Sequence, residues 1–421
     1  MEVAILTNLV DDNPWYSLTS IIKSQCYMLS DYKHKVHLYV SEDYQGNSLG
    51  GVSPISSVPY ADLTDYKSQV DISPRHLQYA QKILDYLYSK FTNYDVIFTH
   101  DLMFTGFNLP FALAIKIFSE NHRHIQWYHW VHSKPHTPRD WWDMQEFLGN
   151  HTIVYPNHAD IPMVKDRFNT ESVICVPHIK DITKTLGFSR HTTDIIEYFP
   201  SLMKADIVQC YPAATDRFDS KGVRDLLMVF SLLKKRGKSV CLVIINQFSG
   251  RRSAKLVDPI VYLEKVARRC GLEPYKDVIF TSEIFNGKYT KGVPENVLRD
   301  LMSLNNLFVF PSKSESFGLV LAESSIYSGA LPITNASVDA MSEVIGLNYS
   351  FDFGDLHLSS FLETENVRFN RLVDMIIDSL DSNPAIQARS NIRRNLNQNT
   401  IYNSFYKPIL ESVCYQSLSH S

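Results

Sequence analysis

Short apolar runs recur along this chain, each separated from the next by a segment with helical spacing. They fall at 3–6, 36–40, 96–98, 125–131, 153–155 and 173–176, with helices predicted at 18–29, 77–91 and 109–118. Strands that are apolar throughout are covered on both faces, and strands joined through helices run parallel. The rhythm lapses over 177–205, around Pro177, Gly187 and Pro200, so this stretch is read as an interdomain connection. It resumes with strands at 206–211, 240–245, 278–281 and 307–310 and helices at 261–270 and 295–304. In "VRDLLMVFSLLKKRG" one helical stripe carries Val223, Leu226, Leu227, Phe230 and Leu233, and Gly237 is placed to end it. The pattern predicts an α/β chain of two doubly wound, Rossmann-like parallel-sheet domains in tandem. The expected division is 1–190, 191–395 and a C-terminal helix, 396–421, packing back towards the first domain. A length of 421 residues agrees, since single cores stop growing near roughly 250–300 residues.

Composition narrows the partners. A net charge of −4 offers no general attraction to nucleic acid or anionic lipid. No window holds about 18 uninterrupted apolar residues, and the start "MEVAILTNLVDDNPW" lacks a basic flank, so neither stable membrane insertion nor a secretory leader is expected. The 6 cysteines are scattered without a C-x-x-C pair, which favours a reducing, cytoplasmic setting. Of the 15 histidines, thirteen precede residue 192, as do all 5 tryptophans, so the two halves have different tasks.

Chemistry concentrates at "FVFPSKSESFGLVLAE", a strand, a turn and a helix start. In an open parallel sheet, ligands sit beyond the carboxyl ends of strands, against helix N-termini. The amides of Ser316, Phe317 and Gly318 are predicted donors for phosphate and sugar oxygens. Glu315 and Glu323 are spaced to reach two diols, and a nucleotide sugar offers one on its sugar and one on its ribose. Two glutamates at this distance on an amphipathic segment usually make a solvated face; the surrounding strand-Pro-Ser context favours a site.

The stretch resembles the signature of retaining GT-B glycosyltransferases, the glycogen synthase-like and glycosyltransferase family 4-like group. Their E-(G/S/A)-F-G-L, followed by a second glutamate, reads here Glu315-Ser316-Phe317-Gly318-Leu319 with Glu323. "SSIYSGALPIT" and "ASVDAMSEVIG" are similar to the segments that follow it, and the likeness spans about residues 205–350. The resemblance implies two domains facing a cleft and transfer of a sugar from a nucleoside-diphosphate donor, a UDP-sugar, to an acceptor hydroxyl with retention. It implies that Glu315 holds the donor sugar, that Ser316, Phe317, Gly318 and Leu319 face sugar and diphosphate, and that Glu323 holds the ribose. "TDRFDSKG" resembles the family's diphosphate-gripping G-R-x-x-x-x-K-G and supplies Arg217 and Lys221, with Asp216 in place of glycine and a spacing one residue shorter. No D-x-D occurs, so no metal or other cofactor is expected.

In the first half, "HRHIQWYHWVHSKPHTPRDWW" carries five histidines and four tryptophans. In the resembling family a histidine at the end of this strand contacts the donor sugar; His132 is the first choice and His129 the second, with Trp130 on the acceptor side. "YDVIFTHDLMF" resembles another family strand end and adds His100 and Asp101 to the acceptor side. The loop "TNLVDDNPWYS" lacks the family's Gly-Gly, so the acceptor stays open between a glycan, a small molecule and a modified DNA base. Two further alternatives are a nucleotide-sugar epimerase of the same fold and a non-catalytic sugar-nucleotide-binding subunit.

Overall fold

The computed structural model describes residues 1–59, 72–103, 109–134, 143–248, 258–345, 350–354 and 363–419. The chain forms two compact units, Met1–Lys180 with Leu396–Ser421, and Asp181–Asn395.

In the first unit seven strands form one sheet: β1 (Glu2–Thr7), β2 (Lys35–Ser41), β3 (Ser56–Val58), β4 (Val96–His100), β5 (Gln126–Trp130), β6 (Asn150–Tyr155) and β7 (Val173–Cys175). Their order is β3-β2-β1-β4-β5-β6-β7, and each ladder is parallel. Both faces are covered, which is why the strands read as unbroken apolar runs. Ala4, Leu6, Ile97, Trp127 and Ile153 pack on one side with Ile83 and Leu87 of helix Pro74–Lys90 and with Ala114 and Phe118 of helix Leu109–Asn121. Val3, Ile5, Phe98, Tyr128 and Val154 pack on the other with Ile22 and Leu29 of helix Ser17–Asp31. Each buried aliphatic or aromatic side chain contributes roughly 1.5–3 kcal/mol. Helix Pro74–Lys90 starts where it does because Ser73 and His76 form a reciprocal cap, with Pro74 in the first turn. Strand β3 was not legible in the sequence, being three residues long and two-thirds serine.

The C-terminal segment is bound into this unit through Ile401, Tyr402, Tyr406 and Leu410. Tyr402 stacks on Tyr32 at 3.5 Å and 8°, and Gln398 donates to Asp31 Oδ2 at 2.7 Å. Residues Tyr402–Tyr406 form one π-helical turn, a geometry frequent at functional sites.

The second unit contains two three-stranded parallel sheets. One has the order β10-β9-β8, from β8 (Ile207–Pro212), β9 (Val240–Ile245) and β10 (Val278–Phe280). The other is β11-β12-β13, from β11 (Leu307–Phe310), β12 (Leu331–Asn335) and β13 (Ser350–Phe351). Strands β8 and β11 lie side by side, joined chiefly by side-chain amides. Gln209 donates to Val309 O at 2.7 Å and accepts from Val309 N at 2.9 Å. Asn305 accepts from Cys210 N at 2.6 Å, and Asn306 from Val208 N at 2.9 Å. One backbone bond, Asn306 N to Val208 O at 3.2 Å, crosses with them. The resulting order, β10-β9-β8-β11-β12-β13, is the doubly wound 3-2-1-4-5-6 pattern, in which the progression of strand order reverses between β8 and β11.

Residues 177–205 are more than a connection. They contain helices Ile182–Thr185, Arg190–Tyr198 and Ser201–Lys204, and Ile195 and Leu202 enter the core of the second unit. Asp300 fixes the middle helix by accepting from Ser189 N at 2.8 Å and Thr192 Oγ1 at 2.9 Å. Helices this short carry too few residues for a visible apolar period. Among the described residues no helix is long and apolar enough to cross a membrane.

Candidate active site

Two turns leave the sheet where its strand order reverses. The turn after β8 carries Arg217 and Lys221; the turn after β11 carries Ser312, Lys313, Glu315 and Phe317. Each ends in a glycine with left-handed backbone, Gly222 at φ 67° and Gly318 at φ 83°, which caps the following helix. A Cβ on Gly222 would stand 2.6 Å from Pro311 O, so the two turns touch backbone to backbone. Lys313 N donates to Ser220 O at 2.8 Å across the same contact.

This approach brings Lys221 and Glu315 together. The Lys221 ammonium pairs with Glu315 Oε1, the two side chains being 15% and 14% exposed. The same carboxylate oxygen accepts from Ser312 Oγ at 2.7 Å. Ser312 is held by Asn335, whose Nδ2 donates to Ser312 O at 3.1 Å. Lys221 is held by Tyr211, whose buried hydroxyl donates to Lys221 O at 2.8 Å. Ion pairs this sheltered are screened less than surface pairs, so Glu315 is fixed as a carboxylate acceptor before any ligand arrives.

The other predicted groups of this unit surround the pair. Ser316, Phe317 and Leu319 are exposed, and Gly318 heads helix Leu319–Ser328. Leu321 N and Ala322 N donate back to Gly318 O at 2.9 and 3.2 Å, which leaves Leu319 N and Val320 N, with the positive end of the helix dipole, as the groups placed to receive phosphate. Glu323 lies in the second turn of the helix, half-buried, with no ion pair or side-chain hydrogen bond among the described residues. Arg217 ends a 3-10 turn and extends into solvent without a side-chain partner among the described residues. Lys313 faces Asp225 at 3.8 Å.

Several supports were not read from the sequence. Asn246 donates to Thr215 Oγ1 at 3.2 Å and to Ser282 Oγ at 2.8 Å, fixing the turn that carries Arg217. Asn246, Asn335 and Tyr211 belong to no motif; each is a polar residue at a strand end, and that position is the signal by which they are found.

In the first unit the predicted residues divide. His100 and Asp101 end β4 and His132 follows β5, at neighbouring strand ends. His100 Nδ1 lies 2.9 Å from His132 Nε2, the rings stacked at 5.1 Å and 6°. Asp101, at φ 50°, accepts from His132 N at 3.1 Å, and burial pushes its carboxyl up to about 6. Burial presses His132 down to about 3 and His100 well below the ordinary imidazole value, so both rings stay neutral.

His129 and Trp130 do not reach the strand end. His129 is fully buried between Thr99 Oγ1 at 2.8 Å and His151 Nδ1 at 3.0 Å, with both ring nitrogens engaged. Trp130 lies in the opposite face of the sheet, against His100, Phe98 and Tyr406. Both belong to the inside of a sheet covered on two faces, which corrects their expected places beside the substrates. His136, Trp141 and Trp142 of the histidine- and tryptophan-rich stretch lie outside the described residues.

Among the described residues no group of three or more His, Cys, Asp or Glu side chains is arranged to hold a metal ion.

No protein-family model matches the chain, and no curated protein matches it in sequence. Solved structures match over nearly its whole length. A glycosyltransferase from Rickettsia africae is 12% identical, covering 98% of both chains, with a TM-score of 0.36. The UDP-forming α,α-trehalose-phosphate synthase of Burkholderia xenovorans, solved with glucose-6-phosphate, is 13% identical over 97% of this chain and 100% of its own, at a TM-score of 0.36. HepE of Anabaena, solved with UDP and glucose, is 14% identical over 97% and 99%, at 0.33.

Proposed function

We propose that this chain is a GT-B glycosyltransferase that moves a sugar from a nucleoside diphosphate, with UDP-sugars the expected donors, to an acceptor hydroxyl with retention of configuration. The observation carrying the proposal is the meeting of Lys221 with Glu315 at the reversal point of a 3-2-1-4-5-6 sheet, beside the free N-terminus of helix Leu319–Ser328. A cation, a carboxylate and a helix dipole beyond the carboxyl ends of two central strands match the parts of such a donor.

In this reading Lys221 and Arg217 take the diphosphate, aided by amides around Phe317, Gly318 and Leu319. Glu315 accepts from hydroxyls of the transferred sugar and Glu323 from those of the ribose. When the diphosphate arrives, Lys221 shares its charge between phosphate and Glu315, which keeps the carboxylate oriented. As the bond from the anomeric carbon to the diphosphate oxygen lengthens, negative charge gathers on the leaving group and meets Lys221, Arg217 and the helix end. Positioning and this stabilisation carry the rate; the reading assigns no enzymatic nucleophile and no metal. In this reading His132 has the expected role of contacting the transferred sugar and Asp101 stands on the acceptor side, and the protein acts in the cytoplasm.

The test is a thermal-shift screen of UDP-, GDP- and ADP-sugars, followed by donor turnover with and without candidate acceptor alcohols. Stabilisation by one nucleotide series and a product with the donor's anomeric configuration support the proposal. Interconversion of the donor sugar without acceptor would identify an epimerase, and binding without any turnover a carrier subunit.

A further inference from the structure

The first unit holds a chain of four hydrogen-bonded neutral groups running from the C-terminal segment to His132. Tyr406, at the end of the π-helical turn, receives Gln25 Nε2 on its hydroxyl oxygen at 2.8 Å. Gln25 Oε1 faces His100 Nε2 at 2.8 Å, and His100 Nδ1 faces His132 Nε2 at 2.9 Å. Gln25, His100 and Tyr406 are all buried. At the far end His132 Nδ1 is buried and has no hydrogen-bond partner among the described residues.

A chain of single protons has a direction, and one end fixes the other. An amide oxygen only accepts, so His100 carries its proton on Nε2 and offers a lone pair at Nδ1. His132 must then donate from Nε2, leaving its Nδ1 bare. With the Gln25 amide turned over, each proton would move to the opposite nitrogen and His132 Nδ1 would become an orphaned buried N–H. Orphaned donors are rarer in folded proteins than under-used acceptors.

We propose that Tyr406 and Gln25 are positioning residues which hold His132 in one tautomer, leaving its Nδ1 lone pair as a buried acceptor for the hydroxyl of a bound polyol. A bare nitrogen suits an alcohol and repels phosphate or carboxylate, so the ligand class at this strand end is a neutral hydroxyl compound. Besides His100, Asp101, which accepts the His132 backbone N–H, and the nearby His178 ring are ionisable groups beside it among the described residues. His178 is itself held below its ordinary value by burial, so it adds no positive charge beside the ring, and the Asp101 carboxylate engages the His132 backbone N–H rather than a ring nitrogen. The consequence for turnover rests on the transferase reading; the tautomer does not.

The experiment is imidazole nitrogen NMR on the full-length protein labelled with 15N-histidine, with Tyr406→Phe and Gln25→Met alongside. The expected spectrum has His132 protonated on Nε2 and bare on Nδ1 between about pH 5 and 8. Either substitution should turn this single form into a mixture and lower turnover by about tenfold or more, with the dissociation constant for UDP within about twofold of the unaltered protein. A proton on His132 Nδ1 in the unaltered protein would overturn the proposal, as would His132 signals unchanged in both variants. Absence of transfer by the unaltered protein would count against the transferase reading alone, because the spectra decide the relay without it.

Discussion

Glu315 accepts from two side chains through one oxygen, the Lys221 ammonium and the Ser312 hydroxyl at 2.7 Å, while Glu323 has no such partner among the described residues. The first is held rigidly and the second is free to take a ligand hydroxyl, so their substitutions should separate. Glu315→Gln keeps volume and removes charge; turnover should fall by about a hundredfold, ~3 kcal/mol in the barrier, with nucleoside-diphosphate affinity nearly intact. Glu323→Gln should weaken binding of the free nucleotide instead. Calorimetric titration with UDP followed by a transfer assay measures both, and equal loss of affinity in the two variants would refute the division.

Arg217→Ala and Lys221→Ala should each weaken nucleotide binding by about ten- to a hundredfold, since charge-assisted hydrogen bonds contribute roughly 1.5–3 kcal/mol. The two are expected to differ in stability. Arg217 is exposed, and its loss should leave the melting temperature unchanged, whereas Lys221→Ala strips a sheltered carboxylate of its cation. Denaturant melts of the two variants check the contrast; a normal affinity in both would place the diphosphate grip elsewhere.

Activity should survive chelation. With transfer assigned to Lys221, Arg217 and a helix end, rates in excess EDTA are expected within about twofold of those without it. Loss of activity restored only by magnesium or manganese would contradict this.

Gly222→Ala tests the contact between the turns. Its left-handed backbone disfavours any Cβ, and this one would meet Pro311 O at 2.6 Å, so a few kcal/mol of stability should be lost. Donor binding should fall further than stability alone explains, because the displaced turn carries Lys221. Gly237→Ala is the control: its φ is also positive, at 82°, yet nothing lies within 4 Å, so it should cost about 1 kcal/mol and leave binding intact.

Acid should destabilise the first unit earlier than carboxylate chemistry would. Burial presses His132 and His151 from 6.5 to about 3 and about 4. Below pH 6.5 the unfolded chain binds protons that the folded one refuses, so their stabilisation is present above 6.5 and is lost as pH falls towards those values. Asp101, raised from 3.8 to about 6, works the other way: its contribution is present below 3.8 and is lost as pH rises through 6. The two histidines outweigh the one carboxylate, and urea midpoints should fall between pH 6.5 and 4. His151→Asn should flatten that fall; an unchanged slope would show that His151 does not contribute.

The alternation of apolar runs with helical segments was enough to read two parallel-sheet units, because central strands buried on both faces leave no other pattern. What it missed was partly short, β3, β13 and the helices over 182–204, where too few residues stand for a period to show, and partly long, since strand Leu331–Asn335 and helices Glu363–Ser382 and Pro384–Asn395 were not assigned. Lys221 and Glu315 were legible as residue types in a strand-turn-helix context, yet their ion pair depends on two turns 94 positions apart and no local pattern contains it. The choice between His129 and His132 was open to a stricter reading. Residues of one strand alternate between faces, and in a sheet covered twice both faces are interior, so only the position past the last ladder bond can meet a ligand. His132 lies past that bond, whereas His129, Trp130 and His100 lie within the ladder. The amides of Gln209, Asn305 and Asn306 gave no signal, since a side chain standing in for backbone has no periodicity.

Those three amides make the distance between the turns of Lys221 and Glu315 a heritable dimension. A backbone ladder has one spacing whatever the sequence; a seam closed by side chains has a spacing that a single codon can alter. Exchanging Gln209 for asparagine, or Asn305 or Asn306 for glutamine, would resize the gap between β8 and β11 while leaving every strand intact. Selection could thus adapt the width of the candidate site to a different ligand without redesigning the residues that touch it.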